Sequence, residues 1–161
     1  MAVVQKITPC LWFNGNAEEA VNHYVEIFEN SRIGHVSRYG KGQHMPEATV
    51  LTIMFELAGQ QFMALNGGVQ FPFTEAISLS VSCDTQAEID HFWDRLTAGG
   101  KPVQCGWLKD KFGLSWQIVP AMLADLMSSG EPERANRVMT ALLGMVKLDV
   151  AALQQAHDGK V

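Results

Sequence analysis

Apolar and polar positions along this chain fall into short strand-like runs, each group of them opened or interrupted by a helical period. Residues 7–13 (ITPCLWF) form an apolar run that stops at Asn14-Gly15-Asn16, which predicts a strand running into a turn. Across 17–28 the apolar residues Ala17, Ala20, Val21, Tyr24, Val25 and Phe28 keep helical spacing, with Asn16 placed to cap the helix. Glu18 and Glu19 sit in its first turn, where the helix dipole favours negative charge. Residues 31–39 and 48–57 are rich enough in β-branched and aromatic side chains for strands, with a polar loop at 40–46 between them. Gly59-Gln60 predicts a tight turn into a further strand at 61–65, closed by Asn66-Gly67-Gly68.

The second half repeats this order. Residues 75–83 (EAISLSVSC) alternate and end at Asp84, a suitable helix cap, and 86–96 is helical up to Gly99-Gly100. Extended segments follow at 103–105, 106–110 and 114–119, the last two joined by a turn at 111–113. A shift of 68 residues lays Asn22-His23-Tyr24-Val25-Glu26 on Asp90-His91-Phe92-Trp93-Asp94. The same shift lays Val21 and Phe28 on Ile89 and Leu96, and Leu11 and Phe13 on Leu79 and Val81. An internal repeat fixes architecture, so the expectation is an α+β fold of two βαβββ modules at 5–68 and 73–120 within a single domain, 1–161. One such module cannot bury both faces of its sheet; the two together are expected to form one curved, mixed, eight-stranded sheet around a cavity.

The tail, 121–161, reads as a helical extension. Met122, Leu123, Leu126 and Met127 suit a short helix after Pro120, and Glu131-Pro132 opens another with proline at a tolerated first-turn position. Its stripe of Ala135, Val138, Met139, Leu142 and Leu143 has the spacing of a packing face. Asp149 caps a last helix over 150–156.

Composition narrows the function classes. In 161 residues there are 12 basic and 17 acidic side chains, a net charge of −5, and the longest basic cluster is Lys109 with Lys111, which argues against nucleic acid as partner. Charged residues make up 18%, below the usual ~25%, and this points to additional buried or self-associating surface. Cys10, Cys83 and Cys105 are odd in number and form no C-x-x-C pair, so the chain is expected to be reduced and cytoplasmic. Residues 1–6 lack a signal-peptide layout, and no apolar run nears the ~18 residues of a membrane span.

Reactive groups are sparse. His23 and His91 hold equivalent helical places but have no recognisable ligand spacing around them, and His44 sits in a loop beside Gln43 and Glu47. Cys105 lies in Gln104-Cys105-Gly106-Trp107, with Lys109 four residues on and on the same side only where the strand stays regular past Gly106; a buried, inert thiol is the expected state, against an activated nucleophile. No G-x-S-x-G elbow, G-x-G-x-x-G loop or P-loop is present. Trp12, Phe13, Trp107 and Trp116 fall on strands or strand ends, with Gln104 and Gln117 nearby. They read either as core or as the lining of an aromatic cavity for a planar or amphiphilic molecule.

Several segments carry a family resemblance: residues 7–13, Phe73-Thr74-Glu75-Ala76-Ile77-Ser78, Gln104-Cys105-Gly106-Trp107-Leu108-Lys109-Asp110, and Gly113-Leu114-Ser115-Trp116-Gln117-Ile118-Val119-Pro120, with 135–143 and 148–153 in the tail. With the paired modules they resemble the vicinal oxygen chelate superfamily of glyoxalase I, extradiol dioxygenases and the bleomycin- and fosfomycin-resistance proteins. Within it they are similar to the PhnB-like branch, which bears the label 3-demethylubiquinone-9 3-methyltransferase domain. The resemblance implies a homodimer or fused module pair, a strongly curved sheet, and a site inside the curve. The superfamily's metal enzymes carry His or Glu at inward strand positions that fall here near Thr8 or Pro9, at Ala64, at Ile77 or Ser78, and at Gln117. None is a His or carboxylate, and a neutral amide is a poor divalent ligand.

The expectation is therefore a small-molecule-binding protein with neither metal nor cofactor, whose site is built from Trp12, Gln104, Cys105, Trp107, Trp116 and Gln117. The alternatives are a metal-dependent lyase, isomerase or dioxygenase-like enzyme using His44, Glu47 and Glu75, the methyltransferase of the family label, or a partner-binding dimer with a filled interior.

Overall fold

The computed structural model describes residues 5–128 and 130–160. The chain divides into two compact units, Met1–Pro72 and Phe73–Val161.

The first unit contains β1 (Cys10–Phe13), α1 (Ala17–Ile27), β2 (Arg32–Arg38), β3 (Val50–Leu57) and β4 (Gln60–Asn66). Its sheet has the order β1-β4-β3-β2, with β1 parallel to β4 and the other pairs antiparallel. α1 buries Ala17, Ala20, Val21, Tyr24 and Ile27 on the sheet side that carries the buried Leu11, Phe13, Ile53, Phe55 and Ala64. The side chain of Asn16 makes no cap bond. Asn66 from β4 does that work instead: its Oδ1 accepts from the Ala17 amide at 3.0 Å while its Nδ2 donates to the Val50 carbonyl at 2.9 Å. A buried amide satisfied at both ends ties the helix start to the sheet.

The second unit repeats the plan with β5 (Ser78–Cys83), α2 (Gln86–Thr97), β6 (Lys101–Pro102), β7 (Trp107–Lys109) and β8 (Ser115–Pro120), in the order β5-β8-β7-β6 with β5 parallel to β8. Thr85, not Asp84, caps α2: its hydroxyl accepts from the Glu88 amide at 3.2 Å, and the Glu88 carboxylate turns back to the Asp84 amide. The helix covers the row Leu79–Trp116–Leu108 with Ile89, Trp93 and Leu96. β6 and β7 span two and three residues against seven and eight for β2 and β3, so the second hairpin is a shortened copy.

Strand pairing corrects the expected single curved sheet. Each module satisfies its own ladder and ends on its own edge strands, β1 and β2 in one and β5 and β6 in the other, so there are two open four-stranded sheets.

The tail forms α3 (Leu123–Met127), α4 (Pro132–Leu143) and α5 (Val150–Asp158) around a small core of Leu126, Val138, Leu148 and Leu153. Each fully buried leucine there contributes about 1.5–3 kcal/mol. Only part of the α4 stripe is packed: Val138 is buried and Leu142 leans on the core, while Met139 and Leu143 stay 39% and 57% exposed. Among the described residues no helix is long and apolar enough to cross a membrane.

Candidate functional site

Side chains alternate across a strand, and cross-strand partners share a face. In the second sheet Ser80, Gln117 and Trp107 are such partners across β5, β8 and β7, and they form one row on the face away from α2. The adjacent row holds Ser78, Ser115, Lys109 and Lys101, one residue from each strand. Gln117 Nε2 donates to Ser78 Oγ at 2.9 Å and links the rows. Trp107 and Gln117 are half-buried and Ser80 is exposed, so the face is reachable.

The structure brings Trp107 and Gln117 together and separates them from Trp116. That tryptophan belongs to the opposite row, is 2% exposed, and donates its indole N–H to Asp110 Oδ2 at 2.9 Å. Gln104 and Cys105 stand in the β6–β7 turn beside Trp107. The Trp107 amide donates to the Gln104 carbonyl at 3.1 Å, and Cys105 and Gly106 both take positive φ, 60° and 79°. The Cys105 and Gly106 amides donate to the Met145 and Val146 carbonyls, so this turn also receives the tail. Gln104 itself is exposed.

Trp12 lies in the first unit, in the row Trp12–Leu65–Thr52–Ser37. Its indole N–H donates to the Gly68 carbonyl at 3.0 Å and its ring meets Phe71 edge-on at 5.0 Å. A Cβ at Gly67 would overlap the Trp12 ring, so only glycine lets the chain pass there. The same unit holds a depression of about 310 Å³ lined by Arg32, Ile33, Gly34, Met54, Phe55, Glu56 and Gln61, and none of the expected site residues lines it.

Pattern reading missed the polar side of this face. Ser78-Leu79-Ser80-Val81-Ser82 alternates hydroxyl with aliphatic side chains, a signal that one side of the strand is polar. Lys109 pairs with Glu75, just ahead of β5, and this hydrogen bond, with further help from Lys101, holds the Glu75 carboxyl below its ordinary pKa.

The positions that carry metal ligands in the superfamily do not fit a cation. Ala64 is fully buried on the helix side; the counterpart of Gln117 is Leu65, since Trp12 pairs with Leu65 as Ser80 pairs with Gln117. Among the described residues no three His, Cys, Asp or Glu side chains are grouped as a metal would need.

The family model described as 3-demethylubiquinone-9 3-methyltransferase matches residues 5–119. The match ends before the tail. Among solved structures, the chain is similar to the PhnB protein from Bacillus cereus at 40% identity, covering 73% of this chain and all (100%) of that one with a TM-score of 0.68. Protein PA1353 from Pseudomonas aeruginosa is similar at 21% identity, over 72% of this chain and 97% of its own, with a TM-score of 0.60. The Listeria monocytogenes fosfomycin resistance protein FosX, in complex with Mn(II) and sulfate, is similar at 12% identity, over 80% and 99%, with a TM-score of 0.53. The latter two speak to the fold alone. No protein with a curated description matches the sequence.

Proposed function

The chain belongs to the 3-demethylubiquinone-9 3-methyltransferase family, the PhnB-like branch of the vicinal oxygen chelate superfamily, and from that premise we propose that it binds a small planar molecule on the Trp107–Gln117 face. The observation that carries this reading is the Ser80–Gln117–Trp107 row. It sets an aromatic ring, an amide and a hydroxyl side by side on an accessible face that packing against α2 does not use. Trp107 offers a flat apolar surface, and Gln117 and Ser80 offer donors and acceptors that fix orientation. Gln104 and Cys105 flank Trp107 through their shared turn. Among the described residues no arrangement of side chains supports methyl transfer, the chemistry in the family's label.

The reading extends to organisation. The two modules, 5–68 and 73–120, and the extension, 121–161, act as one functional domain in a cytoplasmic homodimer that binds neither membrane nor nucleic acid. Cys10, Cys83 and Cys105 are all free thiols, and the exposed Ile7, Val69, Phe71 and Ile77 supply apolar surface for a second copy. Sedimentation analysis at micromolar concentration tests the dimer; a monomer throughout would refute it.

Screening a collection of planar fragments by NMR, observing the Trp107 indole resonance, tests the site. Binders are expected to shift that resonance and to lose affinity in Trp107→Ala. Fragments that bind with equal affinity to wild type and Trp107→Ala would refute the assignment.

A further inference from the structure

The row next to Trp107 and Gln117 has the composition of an anion site. Lys101 and Lys109 are cross-strand partners on β6 and β7, so two ammonium groups share one edge of the face. Among the described residues one carboxylate, Glu75, answers them: it pairs with Lys109 and is 62% exposed. Two positive groups against one exposed carboxylate leave the edge cationic in a chain whose net charge is −5. Like charges directly opposite in a sheet are destabilising, which makes the Lys101–Lys109 pairing a cost that an anion would relieve.

A second observation points the same way. Ser115, between Ser78 and Lys109 in this row, is 1% exposed, and its Oγ has no hydrogen-bond partner among the described residues. A buried hydroxyl without a partner is uncommon and calls for a polar group to meet it. Two residues along β7 separate the Lys109 and Trp107 positions, ~7 Å, close enough on one face for a single small aromatic carboxylate to touch both side chains.

We infer that the ligand of this face is a planar aromatic anion, its ring on Trp107 and its carboxylate at Lys109 and Lys101 in the place Glu75 now occupies. This rests on the small-molecule reading and adds its substrate class. The Glu75 carboxylate is then a stand-in: it pairs with Lys109 and gives way, from its exposed position, to a ligand carboxylate.

The test compares 2-naphthoate with the neutral 2-naphthamide by titration calorimetry and by the Trp107 indole resonance, using the full chain. Expected is a preference for the acid of roughly tenfold at low ionic strength, narrowing as salt is added. Glu75→Gln should tighten 2-naphthoate and leave 2-naphthamide unchanged, and Lys109→Met should abolish the preference. Equal binding of acid and amide, or a preference that survives Lys109→Met, would overturn the anion inference and leave the planar-ligand site standing. If neither compound moves the Trp107 resonance, the site reading falls and this inference with it.

Discussion

Trp116 Nε1 and Asp110 Oδ2 form a buried hydrogen bond of 2.9 Å on the helix-covered side of the second sheet. The other Asp110 oxygen accepts from the Phe112 and Leu114 amides at 2.9 and 3.0 Å, so one carboxylate organises the β7–β8 turn and holds the tryptophan. Trp116→Phe keeps most of the apolar volume and removes the donor. It is expected to destabilise the fold by about 1–3 kcal/mol, because a buried acceptor loses its partner. Urea unfolding measures this; an unchanged midpoint would show that the bond adds nothing.

Trp107 should behave in the opposite way. It is half-buried on the open face, so Trp107→Ala is expected to weaken binding of any ligand of that face by on the order of 1–3 kcal/mol, with a small change in Tm. Gln117→Ala should follow it at a smaller magnitude. Calorimetric titration beside thermal unfolding separates the two effects. A large loss of stability in Trp107→Ala would place the side chain with the core.

This division of the tryptophans was partly legible in the sequence. In Ser115-Trp116-Gln117-Ile118 neighbouring side chains must point to opposite faces, so Trp116 and Gln117 could not line one site. Which of the two faces the helix covers is a tertiary choice that alternation leaves open. The repeat was legible in the first strand and helix of each module: the shift of 68 residues that aligns the helices also aligns Cys10 with Ser78, which pair with Met63 and Ser115. The shortened second hairpin breaks that shift, and its first strand is Lys101–Pro102 in place of the extended segment expected at 103–105. The separation of the sheets was not, because it depends on which strand edges find partners. Local geometry also moved some boundaries. The β3–β4 turn uses Ala58 and Gly59, both at positive φ, as a two-residue hairpin connection requires. At β1, Pro9 accepts from the Met63 amide but has no N–H to return, so pairing there is one-sided.

Cys83 offers a pH prediction. Burial, with Glu88 and Asp84 adding to it, pushes its thiol up to about 11. The folded state therefore favours the protonated thiol. Its contribution to stability is complete below the unfolded thiol pKa of ~8.5 and is lost as pH rises through the folded value. At pH 8 the native protein should leave Cys83 unmodified by iodoacetamide over a time in which the urea-unfolded chain reacts fully. Mass spectrometry of the digested protein reads this out, and native-state alkylation of Cys83 at the unfolded rate would contradict it.

The tail lies beyond the family match at 119, and besides the Met145 and Val146 carbonyl bonds to the β6–β7 turn it is held to the second module by Gln86, Leu148 and Lys147. Gln86 at the start of α2 donates to the Leu148 carbonyl at 3.1 Å and accepts from the Val150 amide at 2.8 Å, reading the tail backbone as a strand neighbour would. Leu148 seats against Gly106, where a Cβ would come within 3.0 Å of it. Lys147 and Asp90 close the contact with an exposed ion pair at 2.8 Å, which salt screens. Gln86→Ala removes both bonds to the tail backbone, along with the bond Gln86 donates to Asp90 Oδ1 at 3.1 Å, and is expected to lower the local opening free energy of α4 and α5 by roughly 1–2 kcal/mol. Amide exchange at Val138 and Leu153 should then speed up about tenfold or more, while Ile53 in the first unit keeps its rate. Acid adds a second lever. The Lys147 hydrogen bond holds the Asp90 carboxyl below its ordinary pKa, so this support is present above the unfolded carboxyl value and fades as pH falls through the lowered one. Gln86→Ala should therefore sensitise tail exchange to acid more than wild type. Equal exchange in the two proteins across that range would mean that the Leu148 packing and the Met145 and Val146 carbonyl bonds to the β6–β7 turn hold the tail without Gln86.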